Sequence, residues 1–252
     1  MSIERNFLFS DVHFPEHDDK AVDCAIKMMS DYKPHRIIIM GDFMDMTPVS
    51  HWLKDKQRVL ENKRLMKEYE GANKLLDYIV SKAGSQLKEV VYIIGNHEYW
   101  VEMYIDKHPE IEGLLEVETN IKLSSKKVKL TFVPLNDFFK LGKLYVTHGL
   151  YTNKYHAAKT LENVGKSVIY GHTHSIQMNS KAGMVDDDKH VAMSIGCLCN
   201  KSPAYMKNRP HNWIHAVATV DVQPNGNFTP HIIPIYNGVA TFNGKLFKSN
   251  KR

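Results

Sequence analysis

A short apolar run that ends in a glycine and two carboxylates constrains the fold of this chain more than any other stretch. Residues 37–40 are Ile-Ile-Ile-Met, a continuously apolar and mostly β-branched sequence that is typical of a strand buried on both faces. Gly41 permits a sharp turn at the end of that strand, and Asp42 and Asp45 follow it. Ligands of open α/β sheets bind at the edge formed by the C-terminal ends of the strands. The run therefore predicts an α/β fold with carboxylates at that edge.

Four other apolar runs end in polar residues of the same kind. They precede the motifs Asp11-Val12-His13, Gly95-Asn96-His97-Glu98, His148-Gly149 and Gly171-His172-Thr173-His174. Each motif is common by itself, but five strands that each finish on Asp, Asn or His are not expected by chance. A mixture of His, Asp and Asn ligands suits Mn²⁺, Fe²⁺ or Zn²⁺ better than Ca²⁺. The sequence therefore indicates a site for divalent metals, in which the two oxygens of Asp42 could bridge two ions.

In this order the five motifs resemble those of the calcineurin-like metallophosphoesterase superfamily. The resemblance spans residues 11–174, about two thirds of the chain. A looser similarity, in the long insertion and in residues 201–213, is to single-domain members often found in bacteriophage genomes. The resemblance implies an α/β fold in which two mixed sheets, flanked by helices, form a four-layer αββα sandwich. From the length of the chain and because we recognise no linker, we expect one domain over residues 1–252, with a helical insertion at about 47–84.

The resemblance further implies a dinuclear metal site in which a metal-bridged hydroxide attacks a phosphoester. We expect Mn²⁺, with Fe²⁺, Zn²⁺ or Ni²⁺ as alternatives. One ion is expected to bind Asp11, His13, Asp42 and His174, and the other Asp42, Asn96, His148 and His172. His97 matches the family's histidine that binds no metal and assists the leaving group as a general acid. Asp45 and Glu98 are expected to orient the ligands without binding metal.

Two basic stretches supply candidate contacts to a substrate. Residues 201–213 combine cations, amides and aromatic rings, a mixture that can stack a base and hold a phosphate, although an exposed polar loop is an equal alternative. Our candidates for substrate binding are Arg209, His211, Asn212, Trp213, His17 and His156. The other stretch, the basic part of the insertion between Lys54 and Lys67, is expected to be a solvated helix face, with steering of a phosphorylated ligand as the alternative.

Composition limits the class of protein and of partner. The 252 residues are 43% hydrophobic and 24% charged, which is ordinary for a globular protein, and the net charge of +5 is compatible with a phosphorylated or nucleic-acid substrate. Three cysteines do not form a disulfide framework, and neither a signal peptide nor an apolar run of about 20 residues is recognised. We expect a cytoplasmic protein (host cytoplasm if it is phage-encoded) without a membrane partner, and we derive no oligomeric state.

Three functions remain open at this point. The leading hypothesis is a phosphohydrolase that acts on a small nucleotide-like phosphomonoester. The second is a phosphodiesterase or DNA nuclease, although we recognise no further DNA-binding or capping region. The third is a metal-binding scaffold without catalysis, as in some retromer subunits, which is less favoured because every expected ligand is present.

Local patterns predict most of the helices and strands. Helices are expected at residues 16–31, 65–83, 99–115 (in two pieces, broken at 108–109) and 155–163. Strands are expected at 128–133 and 143–147, which we take as one two-strand unit, and at 191–195, 213–220, 231–236 and 239–247. Three Asn-Gly pairs, at 225–226, 237–238 and 243–244, predict tight turns. Asp186, Asp187 and Asp188 are interpreted as a turn rather than a calcium site.

Overall fold

Two mixed β-sheets form the centre of the computed structural model, which describes residues 2–50, 55, 57–183, 189–202 and 210–251. The strands are β1 (Glu4–Phe9), β2 (Arg36–Ile39), β3 (Glu89–Ile93), β4 (Lys129–Val133), β5 (Phe139–Leu141), β6 (Leu144–Thr147), β7 (Val168–Tyr170), β8 (Ile176–Ala182), β9 (Lys189–Ile195), β10 (Ala216–Val222), β11 (Phe228–Pro234), β12 (Val239–Phe242) and β13 (Lys245–Lys248). The helices are α1 (Asp19–Tyr32), α2 (Gln57–Leu60), α3 (Leu65–Ala83), α4 (Asn96–Ile105), α5 (Val117–Asn120) and α6 (His156–Val164), with 3₁₀ helices at Thr47–Val49 and Pro109–Ile111.

The strand order brings the predicted site motifs to neighbouring strand ends. The first sheet has the order β11-β10-β1-β2-β3-β4, in which β1 to β4 are parallel and β10 and β11 are antiparallel to their neighbours. The second has the order β5-β6-β7-β9-β8, with β6, β7 and β9 parallel. A separate hairpin joins β12 to β13. Five of the parallel strands, β1, β2, β3, β6 and β7, are followed by the five motifs.

The apolar core shows the layer order. On β2, Ile37 and Ile39 pack in the cluster that includes α1 and α3, whereas Ile38 and its neighbour Met40 pack between the two sheets with residues such as Ile169. All of these side chains are fully buried, as expected for a strand covered on both faces. A third cluster places Leu161 of α6 on the outer face of the second sheet. The predicted four-layer αββα sandwich is thus confirmed.

Several predicted helices have shifted ends, each with a local cause. α1 begins at Asp19 because the Asp18 carboxylate accepts a hydrogen bond from the Ala21 backbone N–H at 2.8 Å and caps the helix. α4 begins at Asn96, earlier than predicted, with Gly95 as its N-cap. The predicted break at residues 108–109 is confirmed, since α4 ends at Ile105 and a 3₁₀ helix follows. Tyr104, which we expected to point inward, is instead 37% exposed.

The strand predictions needed more correction. Residues 128–133 and 143–147 were expected to pair, but the corresponding strands β4 and β6 lie in different sheets. Two strands were missed: β5 is only three residues long, and β8 is mostly exposed and so lacks an apolar pattern. β10 and β11 begin at Ala216 and Phe228. The Asn-Gly turns are confirmed by left-handed backbone at Asn243 (φ 47°) and Gly244 (φ 73°), between β12 and β13.

Two further predictions concern particular stretches. Asp186, Asp187 and Asp188 lie outside the described residues. α3 fills the second half of the predicted insertion and buries the expected face, which includes Tyr69, Leu76 and Ile79. In the part of the chain that the structure describes, no helix combines the length and the apolar character that crossing a membrane requires.

Candidate metal centre

The predicted ligands lie in tight turns at the strand ends. Asp11, His13, Asp42, His172 and His174 all adopt positive φ, between 47° and 65°. Such backbone is uncommon for residues other than glycine, although Asp and His tolerate it better than most, and it costs on the order of 1–3 kcal/mol per residue. A cluster of strained residues is characteristic of a functional site, because the surrounding fold must hold each of them in place.

Asp11, His13 and His174 form one half of the cluster. The Asp11 carboxylate lies 3.1 Å from His174 Nε2, and His174 Nε2 lies 3.2 Å from His13 Nε2. Asp11 also accepts hydrogen bonds from the backbone N–H of His172, at 2.9 and 3.1 Å, and from the Ser10 hydroxyl. All three of the grouped side chains are buried. One carboxylate and two imidazoles therefore converge on the same point.

His148, Asn96 and His172 form the other half, together with Asp42. His148 Nε2 lies 3.4 Å from Asp42 Oδ2 and 3.0 Å from Asn96 Oδ1. The His172 ring lies beside that of His148, with 4.9 Å between centroids. Asp42, His148 and His172 offer ligand atoms that all lie within 4.8 Å of one another.

The hydrogen bonding of His148 tests whether a cation fits this half. Its Nδ1 must donate, because it lies 2.8 Å from the Met40 carbonyl oxygen, which can only accept. In the neutral ring, Nε2 then turns a lone pair toward the oxygens of Asp42 and Asn96. Three acceptors facing one another in a buried space need a cation or a proton between them. The donor set therefore fits a divalent metal ion.

Asp42 faces both halves. Its Oδ2 lies 3.4 Å from His148 Nε2 and 3.8 Å from His13 Nε2, and the carboxylate is almost completely buried. Asp42 also belongs to two of the groups of His, Asp and Cys that could hold an ion, one with His13 and His97 and one with His148 and His172. Asp42 therefore lies between the two halves of the cluster.

Burial and charge act in opposite directions on these groups. Burial by itself would raise the pKa of Asp42, but the imidazoles of His148 and His97 hold it well below its usual range. Burial would lower the pKa of His148, but the negative charges of Asp42 and Asp11 raise it to about 10. In the same way, Asp11 overcomes the effect of burial and raises the pKa of His174 to about 9. The site therefore keeps its carboxylates ionised and attracts positive charge.

His97 and Asp45 stand at the boundary of the cluster. His97 Nδ1 donates to the Asp45 carbonyl oxygen at 2.8 Å, which leaves Nε2 on the side of Asp42 Oδ2, 4.0 Å away. The Asp45 carboxylate accepts from His13 Nδ1 at 3.1 Å and from the Thr47 hydroxyl. The bond to Asp45 at Nδ1 thus turns His13 Nε2 into the cluster.

Glu98 joins two of the strand-end turns. One carboxylate oxygen accepts from the backbone N–H of Asp42 (2.9 Å) and of Gly95 (3.0 Å), and the other accepts from the Met44 N–H (3.0 Å) and the Tyr92 hydroxyl (2.9 Å). The side chain is fully buried. It therefore fixes the turn after β2 against the turn after β3 without contacting the imidazoles.

The proposed substrate contacts divide into three groups. The Trp213 ring lies 4.3 Å from that of His174 and so borders the cluster, whereas His211 lies 4.8 Å from Trp213 on its outer side and is exposed, as is Asn212. Arg209 lies outside the described residues. His17 packs on Phe14 and pairs with Asp19 at 3.6 Å.

His156 does not fit the predicted role of substrate contact. It is 5% exposed, and its two ring nitrogens lie 2.7 Å from the Tyr170 hydroxyl and 3.2 Å from the Ser175 hydroxyl. Both nitrogens are therefore used inside the protein, where α6 packs on the second sheet. Its position near the His148 motif in the sequence was misleading because α6 turns it inward.

The basic part of the insertion looks like the solvated face that we expected. Lys63 pairs with Glu16 at 2.8 Å, and Arg58, Arg64 and Lys67 are exposed. Lys54 lies outside the described residues.

Two residues of the site were not identified in the sequence. Cys199 Sγ lies 3.6 Å from His174 Nδ1, although we had interpreted it as a small apolar residue after a strand. The Trp100 ring stacks on His97 with 3.9 Å between centroids. Only the second gave a signal in the sequence, because residues three apart on a helix are neighbours.

Known proteins similar to this chain were found at the level of family, sequence and structure. The model of the family described as calcineurin-like phosphoesterase matches residues 7–176. The Gene 54 protein of Mycobacterium phage D29 is 24% identical and is matched over 97% of this chain and 99% of its own. Among solved structures, Vacuolar Protein Sorting 29 from Cryptosporidium parvum has a TM-score of 0.48 at 13% identity, covering 98% of this chain and 99% of the other. Yfce, a phosphoesterase from E. coli, has a TM-score of 0.40 at 12% identity, covering 90% and 98%.

Proposed function

Because the chain belongs to the calcineurin-like phosphoesterase family and is a metal-dependent phosphoester hydrolase, we propose that two divalent ions act together in its site. We propose further that the substrate is a small nucleotide-like phosphomonoester. The observation that supports the first proposal is the position of Asp42, whose Oδ2 faces His148 Nε2 at 3.4 Å and His13 Nε2 at 3.8 Å. A single ion would leave one of these two imidazole groups without a metal to bind.

In the proposed assignment, each ion is bound by the side chains of one half of the cluster together with Asp42. One ion is held by Asp11, His13, Asp42 and His174, and the other by Asp42, Asn96, His148 and His172. Mn²⁺ is the proposed ion, with Fe²⁺, Zn²⁺ or Ni²⁺ as alternatives, because mixed imidazole, carboxylate and amide ligation suits these metals. Bound ions supply positive charge that holds the phosphoryl oxygens and makes a water molecule more acidic.

His97 is proposed to deliver a proton to the leaving oxygen. The bond from Nδ1 to the Asp45 carbonyl fixes the ring, so that a proton on Nε2 points toward the space beside Asp42. The ring is further held between Trp100, at 3.9 Å, and His13, at 4.4 Å. A side chain held in this way loses little freedom when a substrate binds, which is what general-acid catalysis requires.

The proposal of a small monoester depends on what surrounds the phosphate. Trp213 provides a flat ring beside His174, with the His211 ring beside Trp213, and such rings can hold a base or sugar. Arg209 and Asn212 are proposed to contact the substrate from the same loop. His17 is proposed as a further contact from a cavity that it lines with Asn200 and Lys201. Lys63 already pairs with Glu16, so the insertion contributes less free charge than its composition suggests.

A turnover screen tests the proposal. Purified protein loaded with Mn²⁺ is offered nucleoside monophosphates, cyclic nucleotides, bis-p-nitrophenyl phosphate and single-stranded DNA. We expect the monophosphates to be hydrolysed with the highest kcat/KM. Much faster degradation of single-stranded DNA would instead support the nuclease hypothesis, and no turnover of any phosphoester would support the scaffold hypothesis.

A further inference from the structure

Aromatic side chains continue outward from His97 along one face of α4. We define the α4 stripe as His97, Trp100, Tyr104 and His108, which are separated by three, four and four residues and so follow one side of a helix and its extension. The His97 and Trp100 rings are 3.9 Å apart and inclined by 32°, and the Tyr104 and His108 rings are 4.5 Å apart and inclined by 33°. The stripe therefore starts at the proposed proton donor and runs toward solvent.

The outer part of the stripe, Tyr104 and His108, is not needed to pack α4 against the protein. That task falls mainly to the neighbouring face of the helix, where Val101 is 0% and Ile105 is 8% exposed, and Trp100 is partly buried against the same core. Tyr104, by contrast, is 37% exposed, and the His108 side chain is 44% exposed. Aromatic rings are costly to leave in water, so an exposed row that begins inside a catalytic site indicates a surface for a ligand.

A cavity lies beside the stripe. It has a volume of about 290 Å³ and is lined mainly by Pro48, Val49, Trp100, Met103, Tyr104 and Lys107. Its far wall is the 3₁₀ helix Thr47–Val49, which follows Asp45 by only two residues. Flat rings on one wall, apolar side chains on the other and a lysine among the lining residues suit a planar heterocycle.

We propose that this cavity binds the nucleobase of the leaving group. The inference rests on the proposed function, in which the leaving oxygen receives its proton from His97 Nε2. Whatever is attached to that oxygen must then lie next to the His97 ring, and the stripe is the surface that continues from this ring. Trp213 borders His174 instead, and His211 borders Trp213, so this pair of rings lies beside a different imidazole of the site.

The contribution of the base can be measured with two matched substrates. Adenosine 5′-monophosphate and ribose 5-phosphate share the phosphate and the primary leaving hydroxyl, and differ in the adenine. Stacking on aromatic side chains changes affinity by about five- to a hundredfold per base. We therefore expect the wild-type protein to prefer the nucleotide at least tenfold, both in kcat/KM and in equilibrium binding measured by calorimetry.

Variants of the stripe should remove this preference. Tyr104→Ala and Trp100→Leu are expected to lower the nucleotide-to-sugar ratio of kcat/KM about tenfold, mainly through KM for the nucleotide. The nucleotide-to-sugar ratio of kcat/KM is compared because Trp100 also supports His97. A loss of rate that affects both substrates equally leaves this ratio unchanged. Tyr99→Ala is the matched control: Tyr99 is 41% exposed on the same helix but lines a different cavity, with Glu102 and Glu116, so the ratio should keep its wild-type value.

The outcomes separate this inference from the proposed function. Hydrolysis of both substrates with no preference, or an unchanged ratio in Tyr104→Ala, overturns the base site and leaves the phosphohydrolase proposal intact. A ratio that falls in Trp213→Ala but not in Tyr104→Ala places the base on the other loop and also overturns it. If no phosphoester is hydrolysed, the base site is still tested by calorimetry. Tighter binding of the nucleotide than of ribose 5-phosphate, lost in Tyr104→Ala, would support the base site without any turnover.

Discussion

At the scale of single residues, the imidazoles of the site share one arrangement. His13, His97 and His148 each use Nδ1 for a bond to the protein, with the Asp45 carboxylate, the Asp45 carbonyl and the Met40 carbonyl as partners. Each therefore presents Nε2 to the space around Asp42. Because a hydrogen bond at one nitrogen fixes both the tautomer and the ring orientation, contacts within the protein determine where these three Nε2 atoms lie.

Replacing the central carboxylate tests this arrangement. Asp42→Asn removes the charge that faces both His13 and His148, and its amide nitrogen cannot bind a metal. We expect hydrolysis to be lost and bound metal to fall from two ions per chain toward one or none, as measured by plasma emission spectroscopy after dialysis. A variant that still holds two ions and turns over at the normal rate would contradict the bridging role.

A second substitution separates proton donation from metal binding. His97→Ala should retain both ions and lose roughly 10²- to 10⁴-fold in kcat for substrates with poor leaving groups, because general-acid assistance is worth that much. The loss should be far smaller for p-nitrophenyl phosphate, whose leaving group needs little protonation. Equal losses on both kinds of substrate, with metal content unchanged, would argue against proton donation.

At the scale of elements, the strand ends were predictable and their surroundings were not. β2 could be identified because four consecutive apolar residues precede Gly41 and Asp42, and Ile37, Ile38 and Ile39 are indeed fully buried. The carboxyl ends of parallel strands lie at the same edge of a sheet. The convergence of the five motifs could therefore be predicted without knowing how the strands are paired. β8 was missed because an exposed edge strand has no apolar pattern in its sequence. Cys199 was missed because its neighbours in the sequence do not reveal that the fold brings it next to His174.

The turns after β2 and β3 are held together by Glu98, and this can be tested by stability. Glu98→Gln replaces one accepting oxygen by a donor group that would face backbone N–H groups in a fully buried place. We expect a loss of about 1–3 kcal/mol, since buried donors left without acceptors cost that much. For a chain of this size the melting temperature should fall by several degrees. Glu102→Gln, one turn further along α4, is the matched control and should melt close to the wild-type temperature.

Glu68 of α3 gives the helix layer a pH dependence. It is 6% exposed, and within the part of the chain that the structure describes its carboxylate lacks a well-formed hydrogen bond. Burial, with a smaller contribution from the charge of Asp45, raises the pKa of Glu68 to about 8. The folded protein therefore holds this proton at pH values where the unfolded chain has released it. The associated stability is complete below the ordinary pKa of about 4.5 and is lost as the pH rises through 8.

Glu68→Gln should accordingly be more stable than the wild-type protein at pH 8–9 and close to it at pH 5. Urea unfolding across that range measures the difference, and subtracting the two curves removes the contribution of groups common to both proteins. Glu70→Gln, on the exposed side of the same helix, serves as control. A difference between Glu68→Gln and wild type that does not grow with pH would show that Glu68 is ionised in the folded state.

At the scale of the whole molecule, the site connects the two sheets. Asp11, Asp42 and Asn96 follow strands of the first sheet, whereas His148 and His172 follow strands of the second. Ions that bind residues from both sheets, as proposed above, would therefore hold together two layers that also share an apolar core. Without the ions, the buried negative charges of the carboxylates would be balanced only by the neighbouring imidazoles.

Chelation should for this reason destabilise the entire fold. A ligand present at about a hundred times its Kd stabilises the native state by about 2.7 kcal/mol, which corresponds to a melting temperature higher by about 5–11 °C for a protein of this size. We expect excess EDTA to lower the melting temperature of the Mn²⁺-loaded protein by that amount, and excess Mn²⁺ to restore it. His148→Ala, which lacks a ligand from the second sheet, should respond less to either treatment, whereas His108→Ala, outside the cluster, should respond as the wild-type protein does. An equal response in His148→Ala and wild type would mean that the ions bind elsewhere.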